Sequence, residues 1–591
     1  MRLAAVLALS LAAACAAAAA DGPRERLKKL ADESYAGYLD LFPNEETLAI
    51  GAGPRMARLE IYVAPEHERR QRAHFRRVLA RLAAISAKGL PAGDAVTHEL
   101  LGQQARWALE RLEFPLTDHA LLIQLDGGLA ADLVQLMTRQ PFRNAADYRA
   151  WMQRLGRYPA LLDAARERLA SAVRAGITTP RVLVERSLDQ WDRIAAPQAR
   201  ESTLWAPMER FPEIVPGGER DALRGDYQRL LDEKVLPSMR SFARWVRDEY
   251  LPHARTTDGI GALPDGDRIY RMLVRQQTTT DLTPEAIHAL GLAEVKRIQM
   301  QVLLAAAPAG FKGELRDLRT WLRTDPANFP FQTPDEVLAH LRAIHERIVP
   351  QLPRLFNRLP RVPLEIRLTD PALAASMPAQ WLPPSADGTR PGIFAIPVVN
   401  ARETSAVSLT SLLVHEGMPG HHLEGALSRE LALPAFRRDL WINAYGEGWA
   451  LYAESLGHEM GLYTEPIPLI GRYLDELYRA ARLVADTGVH ARGWTRGEAI
   501  QFMIEEGGLS QRGATNEVLR YMAWPAQALG YKLGEITLRD LRSDAQRRLG
   551  ERFDVRAFHD QVLGQGQLPL DLLRRRIEAW ISSRPKAAAA R

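Results

Sequence analysis

The sequence predicts a mostly α protein of many helices, with a small β-hairpin or sheet close to one polar cluster. Three observations carry that expectation. Apolar residues recur at helical spacing through most of the 591 residues. Strand-like alternation is confined to residues 362–400. Prolines of the first half, at 159, 180, 197, 212, 216 and 237, fall mostly at or near the ends of the periodic runs.

The first segment, 1–20, has one early positive charge, an apolar stretch and a run of alanines, and it reads as a secretory signal peptide cleaved near Ala20. It is too short and too well bounded for a typical membrane span. The single cysteine, Cys15, lies inside it, so no disulfide inside the mature chain is expected. Leu11–Cys15 also resembles a lipobox with its leucine one place early, which makes a lipid anchor at Cys15 the alternative. Both readings imply export, to the periplasm or beyond. A net charge of +5, without a basic stripe, excludes nucleic acid as an expected partner.

An N-terminal helical part is expected over 21–260. Leu27, Leu30, Tyr35, Tyr38 and Leu39 share a helical spacing that Phe42-Pro43 ends. Periodic segments follow at 66–112, 145–176, 180–197 and 220–249, with arginines on their solvated faces. Pro252, Gly259, Gly261, Pro264 and Gly266 mark a loop and a boundary. The C-terminal part, 261–585, resumes with Thr283 as an N-cap and Pro284 in the first turn of a helix. Helical patterning continues through 284–305 and 334–357, and the tail 586–591 is expected to be disordered.

Two strands are expected next, at Val362–Leu368 and Ile393–Asn400, with Pro397 suited to an edge because it cannot donate to a neighbour. A free sheet edge there could hold an extended peptide through main-chain hydrogen bonds, or the strands could simply cap the helices.

The chemistry concentrates at 412–424, where His415 and Glu416 are followed by His421 and His422. A zinc hydrolase needs neutral imidazoles, an unligated carboxylate to take a proton from water, and an open coordination position. In the simplest motif the second histidine stands four residues after the first, but here that position is Pro419. In an unbroken helix His422 would share a face with His415 yet lie ~10 Å further along the axis, beyond the reach of one ion with bonds of ~2.0–2.1 Å. The helix must therefore break, and Met418-Pro419-Gly420 supplies the break. His421 is then the favoured second ligand, and His422 the alternative ligand or a supporting donor. Glu447, 26 residues beyond His421, is placed to return on another helix as the third ligand. Glu454 shares its helix face, either as a ligand or as an acceptor that fixes a histidine tautomer.

Asp486 and His490 stand four apart, and a histidine held by a carboxylate could donate to the oxyanion of a tetrahedral intermediate. Arg520, Tyr521, Gln527 and Tyr531 crowd a few turns kinked by Pro525, offering phenols for the oxyanion and a cation for a substrate carboxylate.

Five motifs in order, Asp387-Gly-Thr-Arg-Pro-Gly392, His415-Glu-Gly-Met-Pro-Gly-His-His422, Gly446-Glu-Gly-Trp-Ala-Leu-Tyr452, Asp486-Thr-Gly-Val-His490, and Arg520-Tyr521 with Pro525-Ala-Gln-Ala528, resemble the bacterial family called domain of unknown function 885. That family is grouped with the His-Glu-zincin metallopeptidases. The resemblance implies a large multi-helix metallopeptidase-like fold, similar in outline to thimet oligopeptidase and angiotensin-converting enzyme, with the sheet near the cleft. It implies one zinc ion on His415, His421 and Glu447, Glu416 as the base, and Tyr521 as oxyanion donor with His490 as a second candidate. Arg520, Gln527, Tyr531 and Arg390 fall on the substrate side. Ala526 departs from the family, where glycine is usual. The function so implied is an exported zinc-dependent peptidase acting on short peptides. Zinc hydrolysis of a non-peptide amide or ester, or a catalytically silent exported binding protein, are the alternatives.

Overall fold

The computed structural model describes residues 22–584 apart from 115–121, 125–127, 372–373, 375–377, 386–387 and 389. The first segment with Cys15, expected to be a signal peptide, the tail 586–591, and Asp387 and Thr389 lie outside the described residues. The chain is mostly helical with one small sheet, as the periodicity predicts. It divides into two compact units.

One unit comprises Met1–Ala254 together with Leu433–Asp439. Phe42 closes the helix Pro23–Leu41, and Pro43 opens the next, Pro43–Ile50. The main core gathers Trp151, Leu155, Trp191, Leu204, Met239 and Tyr250. Its polar atoms are paired inside the unit: the Trp151 indole donates to the Tyr227 hydroxyl, which donates to the Leu204 carbonyl. The short helix Ala435–Arg438 is tied in by Arg437, which donates to the Gly93 carbonyl and Thr97 Oγ1.

The other unit comprises Arg255–Ala432 and Leu440–Arg591. Helix α1 (Pro284–Ala306) begins with the Thr283 side chain accepting from the Ala286 amide. It lies against the long helix Pro466–Ala491, and a Cβ at Gly291 would stand 2.8 Å from Leu483 Cβ. Strand β1 (Leu364–Leu368) pairs in parallel with β3 (Gly392–Ile396), and β2 (Gln380–Leu382) pairs antiparallel with the other side of β3. The sheet order is therefore β1-β3-β2. This corrects the expected placement of Pro397. The second predicted strand is the central one, buried along its length, and it ends at Ile396, one residue before the proline that could not donate to either neighbour.

The site is framed by α2 (Leu409–Glu416), α3 (His421–Glu430), α4 (Asn443–Leu456), the long helix, here α5 (Pro466–Ala491), and α6 (Gln511–Ala523), with α7 (Leu529–Leu549) following. Helices α4 and α7 meet backbone to backbone. A Cβ on Gly534 would overlap the Ala444 carbonyl oxygen, and one on Gly448 would overlap Gly534 Cα. Only glycine permits that approach. Among the described residues no helix is long and apolar enough to cross a membrane.

Candidate metal centre

The break expected after Glu416 is present. Helix α2 ends there, α3 starts at His421, and Gly417–Gly420 form the turn between them. The Gly420 amide donates to the Val414 carbonyl and the His422 amide to the Gly417 carbonyl. A Cβ on Gly420 would overlap the carbonyl oxygens of His415 and Val414, so the fold-back requires glycine. Trp449, buried in α4, donates its indole N–H to the Pro419 carbonyl at 2.9 Å, tying the turn to the helix that carries Glu447.

The consequence is convergence. One ligand atom from each of His415, His421 and Glu447 lies within 4.8 Å of the others. Glu447 Oε2 stands 3.6 Å from His415 Nε2 and 3.3 Å from His421 Nε2. Donors bound at ~2.0–2.1 Å to one tetrahedral ion stand about 3.3 Å from one another, so this spacing fits a zinc ion. The donor set, two imidazoles and a carboxylate, fits as well. Behind it, Glu454 Oε1 accepts from His415 Nδ1 at 2.8 Å, which turns Nε2 toward the cluster. Arg479 approaches the same Glu454 oxygen at 3.5 Å.

The electrostatics call for a cation. Burial disfavours the His415 imidazolium, but the Glu447 and Glu454 carboxylates outweigh it and hold its pKa at about 9. Burial likewise opposes ionisation of Glu447, yet His415 and His421 keep its carboxyl well below the usual range. Two carboxylates converging on one buried imidazole attract positive charge, whether a proton or a metal ion.

Glu416 stays outside the ligand set. Its Oε2 accepts from the Trp381 amide of β2 at 2.8 Å, so the sheet edge nearest the cluster holds this carboxylate. His422 also lies outside the set. It is buried, its Nε2 is 3.1 Å from the Val362 carbonyl, and its Nδ1 faces the Trp381 indole N–H at 3.4 Å. Burial pushes its pKa down to about 4. Both ring nitrogens are turned to the sheet, so His422 braces the sheet instead of joining His421.

His490 departs from the expected role. Its Nδ1 accepts from the Ile260 amide at 3.0 Å and its Nε2 donates to the Tyr521 carbonyl at 2.9 Å, so no N–H is left for an oxyanion. Burial holds it neutral, with a pKa pushed down to about 3. Nor does Asp486 hold it. That carboxylate accepts from the Tyr270 hydroxyl and the Ala526 amide, and burial raises its pKa to about 7. The pair fixes backbone, including the residue at which the chain turns with φ 69°.

The phenols and the guanidinium do come together. Tyr531, in the first turn of α7, stacks on His415 with ring centroids 6.4 Å apart. Arg520 donates to its hydroxyl at 3.3 Å and to Gln527 Oε1 at 2.9 Å, and Gln527 Nε2 donates to Asn443 Oδ1. Tyr521 is buried beside Glu517, its hydroxyl makes no hydrogen bond of good geometry, and burial raises its pKa well above the usual value. Arg390 is exposed, its amide donating to Ser385 Oγ.

Sequence reasoning gave no role to Arg482, Asn443, Trp381 or Trp441. Arg482 is buried, lies over the rings of Tyr478 and Tyr531 and pairs with Glu517 at 2.9 Å. Its place one turn before Asp486, on the same face of α5, was the available signal. The tryptophans gave none, because their contacts with His421 and, for Trp381, with His422 are distant in sequence.

Fold and site together define a mostly helical protein built round a candidate three-ligand metal centre. The chain belongs to the family described as bacterial protein of unknown function, DUF885, whose model matches residues 45–577. It is similar to a candidate lipoprotein from Colwellia psychrerythraea whose crystal structure is known, with 27% identity and a TM-score of 0.90 over 95% of this chain and 100% of that one. A candidate lipoprotein of unknown function from Shewanella oneidensis shares the fold, with 17% identity and a TM-score of 0.69 over 93% and 99% of the two chains. None of the curated proteins matches.

Proposed function

We propose that the protein is an exported zinc-dependent peptidase acting on short peptides. The observation that carries this reading is the convergence of His415, His421 and Glu447, with Glu416 beside them and outside the set. Zinc held there would supply a Lewis acid and a water of lowered pKa. Glu416, oriented by the Trp381 amide, takes the proton of the attacking water and passes it to the leaving amine. Tyr531, polarised by Arg520, is placed beside His415 to donate to the negative charge that develops on the substrate's carbonyl oxygen, with Tyr521 the second donor on the same cluster. Hydrolysis of a non-peptide amide or ester would use the same groups, and a substrate panel separates the two. Export is supported by the N-terminal segment and by the candidate-lipoprotein relatives, and it leaves Cys15 as the point of attachment should a lipid be added.

One observation favours a silent binding protein instead: His415, protonated between Glu447 and Glu454, could satisfy the cluster without metal. Zinc analysis of the mature protein decides between them. About one zinc per chain is expected, lost in His415→Ala and Glu447→Ala. Glu416→Gln should keep the metal while its turnover of peptides falls by about 10²–10⁴. Absence of zinc in the wild type after incubation with the metal would leave the binding-protein reading.

A further inference from the structure

Among the described residues, the exposed large hydrophobic side chains include only two aromatic ones, Trp441 at 49% exposure and Trp524 at 40%. Both lie on the candidate site. Trp524 carries the Arg520 guanidinium 5.9 Å from its ring. Trp441 sits at the metal-ligand trio itself, its ring centroid 5.9 Å from that of His421.

Trp441 is seated, not merely exposed. The indole lies over Gly446, where a Cβ would meet its ring at 2.5 Å, so the glycine before Glu447 makes room for it. Trp381 also stacks on His421, at 6.3 Å with an interplanar angle of 22°, over the backbone of Gly425. Two indoles thus lie against His421, each admitted by a glycine. An indole fixed on one side and open to solvent on the other keeps apolar area in water, and such area marks a contact surface.

We infer that Trp441 is the floor of a subsite for a large, flat or branched apolar side chain next to the scissile bond. The preferred substrates are accordingly peptides with an aromatic residue or leucine at that place. This deepens the peptidase reading and rests on it for the word substrate, although the subsite can be tested without turnover. Trp441 acts here as a specificity residue, since it touches the bound side chain and no reacting atom.

The test is equilibrium binding of L-phenylalanine hydroxamate and L-alanine hydroxamate to the zinc-loaded mature protein by titration calorimetry. Zinc content is measured in parallel for the wild type, Trp441→Ala, Trp441→Phe and Trp524→Ala. A pocket that holds a side chain by apolar contact discriminates by about tenfold or more, so the wild type should prefer the phenylalanine compound by that factor. The preference should collapse to within about threefold in Trp441→Ala and persist in Trp441→Phe, because a ring keeps most of the platform. Zinc content should stay at the wild-type value in all three variants. Equal affinities in the wild type, a preference untouched by Trp441→Ala, or one lost in Trp524→Ala instead would overturn the inference. A protein that cleaves no peptide yet keeps the Trp441-dependent preference would sink the peptidase reading alone.

Discussion

Glu454 is the residue whose removal tests the centre most directly without touching a ligand. Its bond from His415 Nδ1 is 2.8 Å long, and the two residues are 1% and 3% exposed. A buried hydrogen bond to an ionised group contributes about 1.5–3 kcal/mol. Written as an affinity that is about 10- to 100-fold, the range over which metal sites weaken when such a partner is lost. Glu454→Gln keeps an acceptor oxygen without its charge, so the zinc Kd should rise about tenfold. Glu454→Ala also frees His415 Nδ1 to rotate and leaves the Arg479 guanidinium with Asp475 as its remaining carboxylate partner, so it should lie near the 100-fold end. Competition against a chromophoric zinc chelator at neutral pH measures both. If both variants bind zinc within about twofold of the wild type while their circular dichroism is unchanged, the tautomer argument is wrong.

Two further outcomes follow from the scaffold. Gly534→Ala places a methyl group on the Ala444 carbonyl oxygen and should cost about 3 kcal/mol or more, with zinc content falling alongside the urea midpoint; an unchanged midpoint would mean α4 and α7 have slack. His490 has a pKa near 3 against an ordinary 6.5, so the unfolded chain binds the proton first, and its contribution, full above about pH 6.5, is lost as pH falls toward 3. His490→Gln should therefore lose less stability than the wild type between about pH 7 and pH 5 in thermal unfolding, whereas parallel curves would show that His490 does not titrate this way.

Much of this was readable from local pattern. Periodicity located the helices, and the axial rise alone required a break between His415 and the next imidazole. That His421 and not His422 comes back depends on where the turn lets α3 begin, and on the Val362 carbonyl and Trp381 indole that take up His422. Those partners are 60 and 41 residues away, and no spacing rule reaches them. The same holds for His490: its place four residues after Asp486 suggested a pair, but Tyr270 and the Ala526 amide compete for the carboxylate more closely. Sequence pattern found β1 and β3 but not β2, three residues long at Gln380–Leu382, and the strand order, and therefore the place of Pro397, depends on pairing that alternation does not encode.

The contact of Gly448 with Gly534 sets what can vary in this family of sites. Glu447 is next to the first glycine, and Tyr531 is one turn before the second, so the interval between ligand and phenol is gauged by main chain against main chain. Side chains around the cluster can then be exchanged without this main-chain contact being altered. Residues at the rim can vary while Glu447 and Tyr531 keep their positions.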